Sequence, residues 1–429
     1  MTGVQTCALP IFIAAHKKLG DLYRQTGETD KAYREYEIAH KSTQERVIVQ
    51  EGSDASRYNL ALSSLDMAEV SRELKRDMEA CRGYIDASIT TLEEVLANPK
   101  PGLGAIPPFS VRYLLSDSHN RLAVHVLRLG NPGAALDYFR RSFDLNQTVA
   151  QTIDDAAQLA NLDDKQKTKS LAEAARIKLI LPQSNATALM AMGSMSFRLQ
   201  RNEDAEAFFQ QALDIREKVF ADKPDDLGAK WNLSRLCGAV GDFNLQTGKH
   251  EAAEKFCQRS LTLIQQISDA DPMRADFRRD LGMARYRLGL LQLRSENAEA
   301  ARTHFEKCRE VRQRLADVPT ATPRQKLDWK LAQAHCGEHE EVARFLALIE
   351  TEKAIDAELL TLIARAYATC SRVASVEEPL ASRYRDKCFE TLQKLLDTGY
   401  RDVVTLQMEP DFDPIRSDSR FAEIKLPSR

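Results

Sequence analysis

Glycine and proline are scarce, 18 and 15 residues in 429. So few breakers leave long uninterrupted elements, which points to helices. Eight cysteines are scattered without a single C-x-x-C pair. That excludes a disulfide framework or a structural zinc site, whose ligands cluster at short spacings, and leaves free thiols in a reducing, cytoplasmic compartment as the expectation. Neither charge is in excess: Lys+Arg is 60 against Asp+Glu 63, a net charge of −3. A general nucleic-acid binder or a polybasic membrane-surface protein needs surplus cation, so neither is expected. No apolar run is long enough to cross a bilayer; the stretch Ala8–Ala15 is short and lacks a basic flank. There is no Walker sequence, H-E-x-x-H or nucleophile elbow, so catalysis, a cofactor or a bound metal is not expected. What is present suffices for a core: 43% hydrophobic residues, 29% charged, and a mean hydropathy of −0.41.

The run Thr2-Gly3-Val4-Gln5-Thr6-Cys7-Ala8-Leu9-Pro10-Ile11 resembles the translation of a sequencing-library adapter. Residues 1–11 are therefore read as an artefact, and the native chain is expected to begin further upstream.

An internal repeat organises the remainder. Six small residues act as anchors: Gly20, Ala68, Ala123, Gly193, Gly241 and Gly289. Twelve positions after each stands an alanine: Ala32, Ala80, Ala135, Ala205, Ala253 and Ala301. Sixteen after come Tyr36, Tyr84, Phe139, Phe209, Cys257 and Phe305, and nineteen after come Ala39, Ala87, Ser142, Ala212, Ser260 and Cys308. Small residues on two antiparallel helices let the backbones approach, and the larger side chain fills the space beside them. Gly27, Gly130 and Gly248, seven after their anchors, suit the left-handed cap of the first helix.

This pattern resembles the tetratricopeptide repeat, although only Tyr23 occupies that motif's usual tyrosine position. The resemblance implies an all-α, tetratricopeptide-like right-handed superhelix of antiparallel helix pairs. Anchors recur every 48 residues in three intervals, against about 34 in the ordinary unit. The excess is two heptads, so each helix lengthens by about two turns with its buried face preserved. Residues 12–150 are assigned to a first block of three hairpins and 151–182 to an inserted helical connector around Asp163–Leu181, ended by Pro182. Residues 183–318 form a second block, and 319–429 hold degenerate hairpins and a terminal cap.

The tail carries a second resemblance. Ala366-Tyr367-Ala368, Gly399-Tyr400-Arg401-Asp402, Asp411-Phe412-Asp413-Pro414-Ile415-Arg416 and Phe421 resemble the C-terminal end of repeat-bearing serine/threonine protein kinases of planctomycete bacteria. The resemblance implies a kinase domain upstream, with or without a membrane span. This stretch itself is not a kinase: Asp242-Phe243 is followed by Asn244, and no phosphate loop or catalytic loop occurs. A free-standing scaffold or regulator is the alternative.

Such an array binds proteins or peptides. Four or five residues after their anchors stand Arg24, Arg72, Arg128, Arg198 and Arg294. A ladder of planar guanidiniums would suit an acidic or phosphorylated peptide; equally, a cation near a helix C-terminus is favoured by the dipole alone. Asp21 stands where the carboxylate clamp of chaperone-binding repeats has asparagine, so a chaperone adaptor is not expected. His335, Cys336, Glu338 and His339 form the densest metal-capable cluster, but Gly337 interrupts them, and they read as turn and helix-end residues. The pairs Asp154-Asp155 and Asp163-Asp164 read as solvated or helix-start charges.

Overall fold

The computed structural model describes residues 2–75, 77–100, 106–155, 164–351, 355–373 and 378–424, with side chains from residue 9 onward. The described residues contain helices and turns and no strand. In chain order the helices are α1 (Thr2–Thr26), α2 (Thr29–Val49), α3 (Asp54–Leu74), α4 (Met78–Ala97), α5 (Pro108–Arg128), α6 (Pro132–Thr152) and α7 (Asp164–Arg198). There follow α8 (Asn202–Asp222), α9 (Leu227–Gln246), α10 (His250–Ala270), α11 (Ala275–Arg294), α12 (Ala298–Ala316), α13 (Pro323–His335) and α14 (His339–Ile349). The tail region comprises α15 (Ala357–Val373), α16 (Glu378–Asp397), α17 (Val403–Met408), a 3-10 turn (Pro410–Ile415) and α18 (Ser419–Ala422). They divide into two compact units: unit 1 is residues 1–127 with 134–188, and unit 2 is 128–133 with 189–429.

The repeat register is visible atom by atom. A Cβ built on Gly20 would lie 3.0 Å from the Tyr36 ring, one on Gly193 2.9 Å from Phe209, and one on Gly289 2.7 Å from Phe305. On Gly241 it would meet the Cys257 Sγ at 2.5 Å. Each of these four glycine anchors is thus roofed by the residue sixteen positions later, and an alanine there would crowd it. Ala32, Ala135, Ala205, Ala253 and Ala301 are all buried. A second close approach comes from the small residues at position nineteen. Ser142 meets Ser116 (hydroxyl oxygens 2.9 Å apart), and Ser260 meets Ser234, each of that pair donating to the other's carbonyl oxygen at 2.8–2.9 Å.

The turn position is left-handed in five hairpins. Gly27, Gly130 and Gly248 have φ of 78°, 73° and 76°, and Gln200 and Glu296 adopt 59° and 57° despite their side chains. A bond from the next residue's N–H closes each of four turns, for example Arg201 to the Ser196 carbonyl at 2.8 Å and Lys249 to that of Asn244 at 2.8 Å.

The second hairpin departs from the expected register. Ala80 and Tyr84 are only half-buried and Ala87 is exposed, while Cys81, Ile85 and Ser88 face the core. The cause is one extra residue between anchor and second helix: α4 begins ten residues after Ala68, whereas α2, α6, α8, α10 and α12 each begin nine after their anchors. Lys75 keeps a negative φ of −105°, and closure runs from Asp77 N–H to the Ser71 carbonyl. One added residue rotates the following helix by about 100°, enough to replace one buried set by its neighbour.

The connector also differs from expectation. Asp163 lies outside the described residues. From Asp164, however, one helix of 35 residues runs straight through Pro182 to Arg198. An internal proline costs about 3 kcal/mol. Against that, Ile177 and Leu181 on one side are buried with Phe109, Val149 and Ile153. Ala186 beyond the proline is fully buried, and Ser184 receives a bond from Asn146 at 3.2 Å. At roughly 1.5–3 kcal/mol per buried aliphatic side chain, continuity wins.

In unit 2 the tail closes the core. Phe412, Ile415, Leu406 and Phe421 are buried in one cluster with Leu360, Ile363, Tyr367, Cys388 and Leu392 of α15 and α16. The apolar faces of the last hairpin are thereby covered.

Candidate functional site

The five ladder arginines divide between the two units, and in unit 1 Arg24 and Arg72 share Glu73. Arg24 and Arg72 belong to unit 1, and Arg128, Arg198 and Arg294 to unit 2. Each closes or nearly closes its helix. Arg24 lies 3.3 Å from Glu69 and 3.2 Å from Glu73, and Arg72 lies 3.0 Å from Glu73. Arg128 is exposed at the end of α5. Arg198 donates at 2.9 Å to Asp402, whose carboxylate is almost wholly buried, and Arg294 contacts Asp413 at 3.2 Å. In unit 2 the chain's own tail therefore supplies the oxyanions for two ladder arginines. Gly130 permits this: a Cβ there would stand 2.8 Å from the Arg401 nitrogen and 3.0 Å from that of Asp402.

A second set of arginines lines a cleft of about 580 Å³ in unit 2. Arg235 comes from α9, Arg279 and Arg287 from α11, Arg312 from α12 and Arg324 from α13. Two carboxylates, Asp280 and Asp328, share the wall. Two mid-helix glycines make room for the guanidiniums. A Cβ on Gly238 would lie 2.5 Å from Arg287 Nη1, and one on Gly282 would lie 3.3 Å from Arg312 Cγ. Glycine in a helix interior is unfavourable by about 1 kcal/mol against alanine, so both recesses are maintained at a cost. Arg287 is held by Asp242 at 2.8 Å. Arg235 has Asp280 only at 3.9 Å, and Arg279 lies 3.1 Å from Asp276 and 3.2 Å from Asp280. Arg324 engages Glu358, with Asp328 at 3.7 Å. Arg312 is 5% exposed. It donates to the Asp328 backbone carbonyl at 2.8 Å and lies over the Tyr286 ring at 4.6 Å, with no carboxylate in ion-pair range among the described residues.

None of these arginines was singled out from the sequence. Arg235, Arg279 and Arg287 stand six, ten and two residues before their anchors, Arg312 is on a second helix, and Arg324 is at the start of α13, which has no anchor. The available signal was a pair of unexplained mid-helix glycines, 238 and 282.

The His335 cluster is resolved into separate environments. The Arg372 guanidinium donates to His335 Nδ1 at 3.0 Å, which leaves Nε2–H to donate to Asp411 at 2.9 Å. Asp411 also accepts from Tyr286 at 2.5 Å and Arg365 at 2.7 Å. Burial alone would raise the Asp411 carboxyl, but Arg365, His335 and Tyr286 hold it below the usual carboxylate range. Burial pushes the His335 imidazole down, so it is neutral here, only partly countered by Asp411. His339 sits instead against Tyr384 at 3.3 Å. Among the described residues no three His, Cys, Asp or Glu side chains are grouped to hold a metal. None of the described helices is long and apolar enough to cross a membrane.

Comparison with known proteins bears on the repeat itself. A tetratricopeptide-repeat family model matches residues 185–225, the segment holding Gly193, Ala205, Phe209 and Ala212. No curated protein matches the sequence. Among solved structures, the apo form of the quorum sensor NprR from B. thuringiensis is 12% identical, covers 90% of this chain and 97% of its own, and has a TM-score of 0.48. A Rap protein complexed with competence and sporulation factor is 12% identical over 96% and 94% of the two chains, with a TM-score of 0.44. A tetratricopeptide repeat protein from Parabacteroides merdae is 11% identical over 82% and 99%, with a TM-score of 0.35. The chain carries a tetratricopeptide repeat and builds consecutive helix pairs around it.

Proposed function

We propose that this chain is a non-catalytic protein-interaction scaffold that holds a segment of a partner protein in the unit 2 cleft. The observation that carries the reading is the cleft itself: four successive hairpins contribute polar side chains to one hollow of a size that accommodates several residues of a peptide. At the ladder arginines Arg24, Arg72, Arg128, Arg198 and Arg294, taken one by one, an acidic ligand would have to compete with the chain's own carboxylates. The test is hydrogen exchange on the protein with peptides selected from a random display library. Protection concentrated in α9, α11 and α13 is expected; selected peptides that protect only other helices, or failure to select any, would remove the reading.

At a finer level, the array recruits substrates or partners for a bacterial serine/threonine protein kinase whose catalytic domain lies upstream. The tail motifs Gly399–Asp402 and Asp411–Arg416 support this by resemblance. A free-standing scaffold is the alternative, and the genomic reading frame upstream of residue 12 separates the two: kinase motifs there uphold the first, an immediate start codon the second.

A further inference from the structure

Resting on the cleft as the partner site, we propose that the unit 2 cleft reads a phosphorylated side chain on the bound peptide. Arg235, Arg279, Arg287, Arg312 and Arg324 all border one hollow. A carboxylate offers two oxygens and is satisfied by a single bidentate guanidinium. A phosphate monoester offers three oxygens and about −2 charge, and so engages several guanidiniums together. The site is built for guanidiniums in particular. Gly238 leaves the space that the Arg287 guanidinium occupies and Gly282 stands against the Arg312 stem, and Arg312 is buried with no carboxylate in ion-pair range among the described residues, the Asp328 charge reaching it only from further off. Asp280 and Asp328 hold their neighbours in place without reaching Arg312 by a side chain.

A peptide is favoured over a nucleic acid by what the wall lacks and contains. Among the described residues of the wall there is no aromatic ring, and the nearby Trp231 is already engaged by Asp280 and covered by Arg235, whereas single-stranded nucleic acid is held largely by stacking on aromatic side chains. The hydroxyl, amide and carboxylate groups of Thr322, Gln325 and Asp328 suit a peptide backbone, which presents both donors and acceptors.

The test uses the whole chain and a degenerate peptide library with a central phosphoserine, its serine counterpart, a uridine oligonucleotide and inorganic phosphate, read by fluorescence anisotropy. The expected result is binding of the phosphopeptide at least about tenfold tighter than of the serine peptide, with a further loss of about tenfold in R287Q and R312Q. G238A keeps every charge but pushes the Arg287 guanidinium aside, so it should weaken phosphopeptide binding without altering that of the serine peptide. It also keeps the inference testable if the buried R312Q does not fold. Equal binding of the two peptides, indifference to R287Q and G238A, or oligonucleotide or free phosphate binding as tightly as the phosphopeptide would overturn the inference. Serine peptides that still protect α9, α11 and α13 would leave the interaction role standing while this reading falls; absence of any peptide binding would remove both.

Discussion

Unit 1 and unit 2 use one helical hairpin for different electrostatic ends. In unit 1 the charges on the first helices cancel among themselves. Lys17 pairs with Asp66 at 2.6 Å, Arg24 lies between Glu69 and Glu73, and Arg121 lies between Asp117 at 2.8 Å and Glu69 at 3.5 Å. The unit 1 hollow lined by His40, Gln44, Ser64 and Tyr84 carries no arginine, lysine or carboxylate. In unit 2 the corresponding helices present Arg235, Arg279 and Arg287 to an open cleft, with Arg312 rising between them. A self-paired surface has little left to offer a charged ligand, whereas Arg235 and Arg312, with no carboxylate closer than 3.9 Å among the described residues, are held ready for one. The repeat supplies the framework, and the residues outside its signature decide what each stretch of it does.

The comparison extends to stability. The largest effect is expected from Phe412→Ala, which empties the centre of the tail cluster and should cost about 3–5 kcal/mol. In denaturant titrations the transition of unit 2 should move to lower concentration and that of unit 1 should stay; movement of both together would show that the units do not unfold separately.

Acidification comes next. His119 in unit 1 is pushed down to about 4 by burial and the nearby Arg141, and His335 in unit 2 is also lowered. A histidine kept neutral by the fold contributes stability that is complete above its unfolded value of about 6.5 and declines as pH falls below it. Unit 1 should therefore weaken below that point, while in unit 2 the buried Glu409 carboxyl, pushed up to about 7 by burial, gains stability as pH falls and offsets the loss at His335. Only unit 2 holds Asp411, whose depressed carboxyl contributes stability above about 3.8 that is lost as pH falls further. Thermal melts should show this second, steeper loss in unit 2, and D411N should abolish it; an unchanged acid limb would contradict the assignment.

Packing distinguishes the hairpins more gently. Ala205→Leu or Ala253→Leu should overpack a helix contact and cost about 1–3 kcal/mol. Ala80→Leu, at the same formal position in the slipped hairpin, should cost less than about 0.5 kcal/mol, as a half-exposed site does. The smallest effect concerns turns. Q200G and E296G should each stabilise by about 0.5–1 kcal/mol, because a left-handed residue there no longer carries a Cβ. K75G, at negative φ, should not stabilise, and a gain there would argue that its turn has the ordinary length.

Much of this was legible in the sequence because the hairpin is local. Anchor and roof stand sixteen residues apart on two helices joined by a three-residue turn, so Gly193 and Phe209 announce one another directly. The slip at Ala80 escaped because one extra turn residue changes spacing without changing composition. Pro182 was misleading because a proline's penalty is local whereas the burial that outweighs it draws on α5 and α6. The cleft and the Asp411 cluster were illegible for a different reason. Arg312 meets Tyr286 and the Asp328 carbonyl, and Asp411 meets Tyr286, His335 and Arg365, across elements that only the folded chain juxtaposes. The tail motif marked Asp411 as worth attention but not what it would touch.

Two serine pairs, Ser116–Ser142 and Ser234–Ser260, fasten their hairpins a second time, well away from the contact at the anchor. A pair of rods touching at one place can swivel like scissors; riveted at two, they move as a single plank. Flexing in these stretches is thereby confined to the seams where one plank meets the next, so a ligand spanning a seam would sense and set the bend of the array.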